Sequence, residues 1–185
     1  RGTFFLQAFC LAAAGVLFRL VCLPDGQQTQ IEWKQTLKQT NPLQAFLDGK
    51  HFMNVAFVML FAVVFGKKCV YPIYTYVVME FLFYGLHLWS VNYLYVWAIL
   101  AFAAWSLRKM EHPLGWAVLS GGFGMLFGLL CAPVYLFSGG PGFAVSWWIS
   151  GIPFDLTHAA GNFVIALVLF VPLRRLLTKL YANIQ

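Results

Sequence analysis

The sequence predicts an all-α membrane protein, a bundle of six transmembrane helices with both termini in the cytoplasm. Three observations carry this. Hydrophobic residues make up 61% of the 185-residue chain, charged residues only 10%, and the mean hydropathy is +0.76. A soluble domain carries about 25% charge. The apolar residues fall into stretches near the ~20 residues that span a bilayer. The basic residues gather in short clusters between those stretches, which is a topology signal. The formal net charge of +6 therefore does not read as a nucleic-acid-binding surface, and the partner it implies is the lipid bilayer.

The first span is read at residues 3–23. It runs past signal-peptide length and lacks a cleavage site, so it is expected to stay in the membrane. A polar outer loop, 24–50, follows, with turn signals at Asp25-Gly26 and Asn41-Pro42. The second span, 51–65, closes at Gly66-Lys67-Lys68. The third is 69–88 and the fourth 91–107, before Arg108-Lys109 and Pro113. The fifth, 114–137, ends at Ser138-Gly139-Gly140-Pro141-Gly142. The sixth, 152–173, ends at Pro172 and Arg174-Arg175. All six form a single integral membrane domain.

With six spans, Arg1, Lys67, Lys68, Arg108, Lys109, Arg174, Arg175 and Lys179 share one side, eight of the twelve basic residues. Positive charge in short loops marks the cytoplasmic face. Cys10, Cys22, Cys69 and Cys131 have no CxxC spacing, so they are expected to be packing residues rather than a zinc or redox site. No cofactor is expected.

Ionisable groups at membrane depth are costly and tend to mark substrate or ion sites. Asp155, His158 and Asn162 are spaced i, i+3 and i+7, so they share one face at the head of span six. Arg19 is expected near the outer end of span one, a candidate partner for Asp155. Glu80 and His87 lie along span three. Asn92, Tyr93, Tyr95 and Trp97 lie in the outer part of span four, and Trp147 and Trp148 just before span six. These groups are expected to converge in the outer half of the bundle as a pocket open to the outside. Ser120, Gly124 and Gly128 have the small-xxx-small spacing that lets helices approach closely.

Ser120-Gly121 and His158 would be a serine nucleophile and base, but that chemistry needs hydrogen-bond reach. The depths expected of the two residues separate them by about 10–15 Å. No catalytic residue and no metal ligand set is assigned. A stand-alone ion- or proton-coupled carrier using Glu80, Asp155 and His158 is the alternative reading.

The stretch Gly151-Ile152-Pro153-Phe154-Asp155-Leu156-Thr157-His158-Ala159-Ala160-Gly161-Asn162-Phe163, followed by Phe170-Val171-Pro172-Leu173-Arg174, resembles the S components of energy-coupling factor (ECF) transporters. So does the topology. The resemblance implies a subunit that captures a vitamin or related micronutrient under a lid of outer loops. It also implies docking on a T component driven by two ATPase subunits, toppling in the membrane, and a multi-pass location in a bacterial plasma membrane. By the same resemblance, Ala8 and Ala12 would contact the T component. The chain has no Walker A sequence, so ATP hydrolysis is expected only in the partners. The aromatic content of 18% suits stacking against a planar vitamin-like ligand. The residues do not single out one compound.

Overall fold

The computed structural model describes residues 53–86 and 88–183, which are helical throughout apart from short turns. The predicted span at 3–23, the loop at 24–50, and the residues Ala8, Ala12, Arg19 and His87 lie outside the described residues. Among the described residues, three helices are long and apolar enough to cross a membrane: Asn54–Leu82, Leu88–Ser106 and Pro113–Ala182. Two of these contain a break in the backbone, so the chain folds back on itself more often than that count implies.

Helix α1, Met53–Phe65, is apolar apart from Asn54 and largely buried. Val58, Met59 and Ala62 are completely enclosed, as expected of a helix with no polar face. It packs mainly against the third and fourth helices. At its end Gly66 takes φ +56, a left-handed conformation that glycine adopts without strain. Gly66–Cys69 then form a 3-10 turn carrying Lys67 and Lys68. Helix α2, Val70–Tyr84, stops at Gly85, where φ 80 and ψ 173 break the helix and the glycine N–H bonds the Phe81 carbonyl.

Helix α3, Leu88–Ser106, lies against α2, tied by the Tyr74 hydroxyl donating to the Leu94 carbonyl at 2.7 Å. Helix α4, Pro113–Ala182, begins with a clear start signal. His112 is extended, as the residue before a proline prefers, and its Nδ1 accepts from the Leu114 N–H at 3.2 Å. Pro113 occupies the first turn, where its missing N–H costs nothing.

The 70 residues of α4 form two arms, because Gly140 has φ 77 and ψ 178. The arms, 113–139 and 141–182, pack against each other antiparallel. Trp116 stacks on Phe170 at 4.4 Å between ring centroids, and Gly128 meets Asp155. A Cβ at Gly124 would lie 2.9 Å from the backbone of His158 and Ala159, so the small-xxx-small spacing is the contact surface between the arms. Outside this packed interior, large apolar side chains face outward, including Leu82, Leu86, Phe102, Phe137 and Val168. In water such a surface is an aggregation hazard. In a bilayer it is the expected lipid face.

The elements that carry basic residues meet at one end. Phe65 lies against Tyr181, ring to ring at 4.8 Å. A Cβ at Gly66 would reach Trp105 at 4.0 Å. The Arg174 guanidinium donates to the carbonyls of Met110 at 3.0 Å and Arg108 at 3.1 Å. This basic end is a structural fact, whichever side of the membrane it occupies.

Two predicted boundaries differ. The glycine-rich loop expected at 138–142 narrows to the single non-helical residue Gly140. The last helix starts about 10 residues earlier than residue 152 and runs past Pro172 to Ala182. Pro172 is expected to end the last span, yet it lies inside the helix, as Pro133 and Pro153 do. Neighbouring helices and side-chain hydroxyls can satisfy the backbone that a proline disturbs in a membrane helix.

Candidate functional site

The site is built around the contact between the two arms of α4. Asp155 is 2% exposed, and both its carboxylate oxygens accept from the Gly128 backbone N–H, at 3.1 and 3.2 Å. A side chain at position 128 would fall on that carboxylate, so the glycine is what lets the acid reach the opposing backbone. One turn further on, the His158 ring lies 3.9 Å from Phe154 and 6.0 Å from Phe127. Asn162, another turn on, is buried against Gly124. Neither of its amide atoms has a hydrogen-bond partner.

The early start of the second arm changes the depth of these groups. Asp155 is fifteen residues beyond Gly140 (155 − 140) and nineteen before Arg174 (174 − 155). At about 1.5 Å per residue, it lies nearer the middle of the arm than the mouth. The register also brings His158 and Ser120 closer than expected, offset by only about one turn along facing arms. Even so, the buried Ser120 hydroxyl has no hydrogen-bond partner, so no Ser–His dyad is formed.

On the α3 side, Trp97 is 3% exposed. Its ring lies 5.7–6.4 Å from those of Tyr76, Tyr93, Phe123 and Phe127. Its indole N–H has no acceptor. Trp89 extends the assembly, touching Tyr93, Phe127 and Trp147 at 6.0–6.2 Å, with its N–H donated to the Tyr93 hydroxyl. Trp147 in turn stacks on Tyr135 at 4.2 Å. Separations of 4.5–7 Å are typical of favourable aromatic pairs, so the rings form a continuous set bridging α2, α3 and both arms of α4.

Asn92 is fully buried on α3. Its side chain meets the Tyr95 hydroxyl at 2.9 Å, and that hydroxyl also lies 2.8 Å from the Leu130 carbonyl. A hydroxyl has one proton. Orienting the Asn92 amide so that its nitrogen donates to Tyr95, which then donates to Leu130, gives a consistent chain from α3 to α4. Glu80 is buried one turn beyond Tyr76 on α2.

Of the predicted site residues, Tyr93, Trp97, Trp147 and His158 thus join one aromatic assembly. Asp155 and Asn162 line the inter-arm seam beside it. Asn92 and Glu80 are buried at its edges. The sequence reading missed Gly128 as the hydrogen-bond donor to Asp155. It also missed Trp89, Phe123, Phe127 and Tyr135 as the rings that connect the rest. The signal was present, because Phe123 and Phe127 alternate with Gly124 and Gly128 at i, i+4 spacing. Such a helix presents rings to one neighbour and bare backbone to another.

Among the described residues, no group of three or more His, Cys, Asp and Glu side chains is placed to hold a metal ion. The free thiols Cys69 and Cys131 are both buried. Compared with known proteins, the chain matches no family model, and no curated protein or solved structure is similar to it at a significant level.

Proposed function

We propose that this chain is the substrate-capture subunit of an ECF-type importer. In this reading the membrane bundle binds a small micronutrient and delivers it by docking and toppling on a T component energised by two ATPase subunits. The basic end faces the cytoplasm and the far end of the aromatic assembly faces outward. The observation that carries the reading is the segment 151–163. Its sequence resembles the ECF S components, and its Asp155 and His158 lie where the two arms of α4 meet the aromatic rings. Pockets for small ligands combine apolar and aromatic walls with a few orienting polar groups, and this region has both.

ATP hydrolysis is assigned to the partners, and the chain itself is read as a binding subunit rather than an enzyme. Ala8 and Ala12 are the proposed contact with the T component, and Arg19 and His87 complete the proposed site.

A thermal-shift screen of the full chain against a panel of vitamins and their precursors tests the binding step. At least one compound should raise the melting temperature in a concentration-dependent way, and Asp155→Ala and His158→Ala should each weaken that response. Unchanged affinity in both variants would remove these residues from the site. Solute uptake by the lone chain, driven by a proton gradient, would favour the carrier reading instead.

A further inference from the structure

At the basic end, positive charge from both arms of α4 is brought together. Arg108 and Lys109 occupy the turn before α4, and Arg174, Arg175 and Lys179 its last turns. The Arg174 guanidinium, bonded to the Arg108 and Met110 carbonyls, fixes that turn beside the second arm. Arg108, Lys109, Arg175 and Lys179 are exposed. Trp105 joins the Lys67-Lys68 turn to them. The Arg108 guanidinium lies over its ring at 4.5 Å, and a Cβ at Gly66 would lie 4.0 Å from its indole nitrogen. Glu111 is the one acid in these segments. Adding Asp25, Glu32 and Asp48, from outside the described residues, would still leave an excess of positive charge.

An apolar groove runs along the same two arms. It measures about 540 Å³, and its lining includes Val118, Gly121, Gly122, Ala159, Ala160 and Val164. A Cβ at Gly121 would lie 3.1 Å from the Ala159 carbonyl, so the arms close beneath the groove. A Cβ at Gly122 would meet nothing within 4 Å. Val118 and Val164 are exposed beside it. Arg175 follows Val164 by eleven residues (175 − 164), about three helical turns, so the two stand on one face. The rise between them is about 16 Å, close to the ~15 Å depth of the hydrocarbon in one leaflet. An apolar groove that lies one leaflet's depth from exposed cations complements a molecule with a long apolar chain and an anionic head.

We infer that this seam binds an anionic phospholipid. Its phosphate sits on Lys109 and Arg175 at the basic end, and one acyl chain lies in the groove over Gly122 and Ala160. Basic sites between membrane helices hold anionic headgroups in this way. Neither the charge nor the groove depends on the capture of a solute.

Native mass spectrometry of the full chain in neutral detergent, titrated with lipid, tests it. Dioleoyl phosphatidylglycerol and dioleoyl phosphatidylcholine share their acyl chains and differ in net charge. Phosphatidylglycerol should bind about tenfold more tightly, as a few basic contacts allow, with one molecule retained per chain. Lys109→Gln combined with Arg175→Gln should bring the two lipids to equal affinity. Gly122→Leu fills the groove at an open position. It should weaken both lipids several-fold and keep the preference. Glycerol phosphate, which has the charge without the chain, should not displace the lipid at equal concentration. The comparison of the two lipids on the unaltered chain does not depend on any variant folding.

Four results would overturn the inference: equal affinity for the two lipids, a preference unchanged in the doubly substituted chain, unchanged lipid affinity in Gly122→Leu, or displacement by glycerol phosphate. A dimer that retains no lipid would overturn it too and give the groove to a second copy. The capture-subunit reading fails separately, by absence of the ATPase partners from the purified complex.

Discussion

The seam between the arms of α4 makes a quantitative prediction at two neighbouring glycines. A Cβ at Gly124 would lie 2.7 Å from Asn162 Nδ2 and 2.9 Å from backbone atoms of His158 and Ala159. The side chain can turn, but backbone cannot, so the arms must part. A Cβ at Gly122 would meet nothing within 4 Å. Both residues are helical, so alanine gives each the same gain in helix propensity, about 1 kcal/mol. The difference between Gly124→Ala and Gly122→Ala therefore isolates the steric cost, about 1–3 kcal/mol for overpacking a close contact. Equilibrium unfolding in mixed micelles, followed by circular dichroism, reads this difference directly. Gly122→Ala should be neutral or slightly stabilising and Gly124→Ala clearly worse. Equal stability in the two variants would refute the antiparallel seam.

Other expectations follow from individual contacts. Gly128→Ala should destabilise the bundle by driving a methyl onto Asp155, and Asp155→Ala in the same chain should recover part of the loss, a coupling readable in a double-mutant cycle. Arg174→Ala removes two hydrogen bonds from a charged donor to the Arg108 and Met110 carbonyls. It should cost about 1–3 kcal/mol by the same unfolding assay, with lysine restoring little because it lacks the planar fork. Tyr95→Phe breaks the bridge between Asn92 and the Leu130 carbonyl and should cost about 1–3 kcal/mol. Asn162→Leu replaces a buried amide that has no partner. It should stabilise the empty protein by about 1–3 kcal/mol while abolishing ligand binding in the thermal-shift screen.

Much of the helical architecture could be read from the sequence because membrane spans are written in runs of apolar residues punctuated by charge. Gly66-Lys67-Lys68 and Arg108-Lys109 mark turns that the structure also has, since lysine and arginine in short loops stay out of the hydrocarbon. The punctuation failed where it rested on proline and glycine. Ser138 to Gly142 read as a loop, but one residue, Gly140, makes the whole reversal. Pro141 then sits in the first turn of the next arm, where its geometry favours a helix. That shift moved Asp155 and His158 toward mid-arm and altered the depth argument about Ser120.

The site was legible by residue type more than by contact. Tyr93, Trp97 and Trp147 were named as polar-tipped aromatics near one end of the bundle, and they do meet. They meet through Trp89 and Phe127, which hydropathy alone could not distinguish from ordinary lipid-facing residues. The bond from Gly128 to Asp155 was hidden for another reason. Sequence spacing shows which residues share a helix face, but not which backbone N–H an acid on another arm will find.

Solute capture for an ATP-driven complex is the function proposed for this chain. Its most direct measurement is purification of the tagged full chain from native membranes, with the associated proteins identified by mass spectrometry and assayed for ATPase activity. A T component and two Walker-motif ATPase subunits should co-purify in a stable, ATP-hydrolysing complex. A chain that purifies without any ATPase, and alone carries solute into proteoliposomes under a proton gradient, would contradict the proposed function.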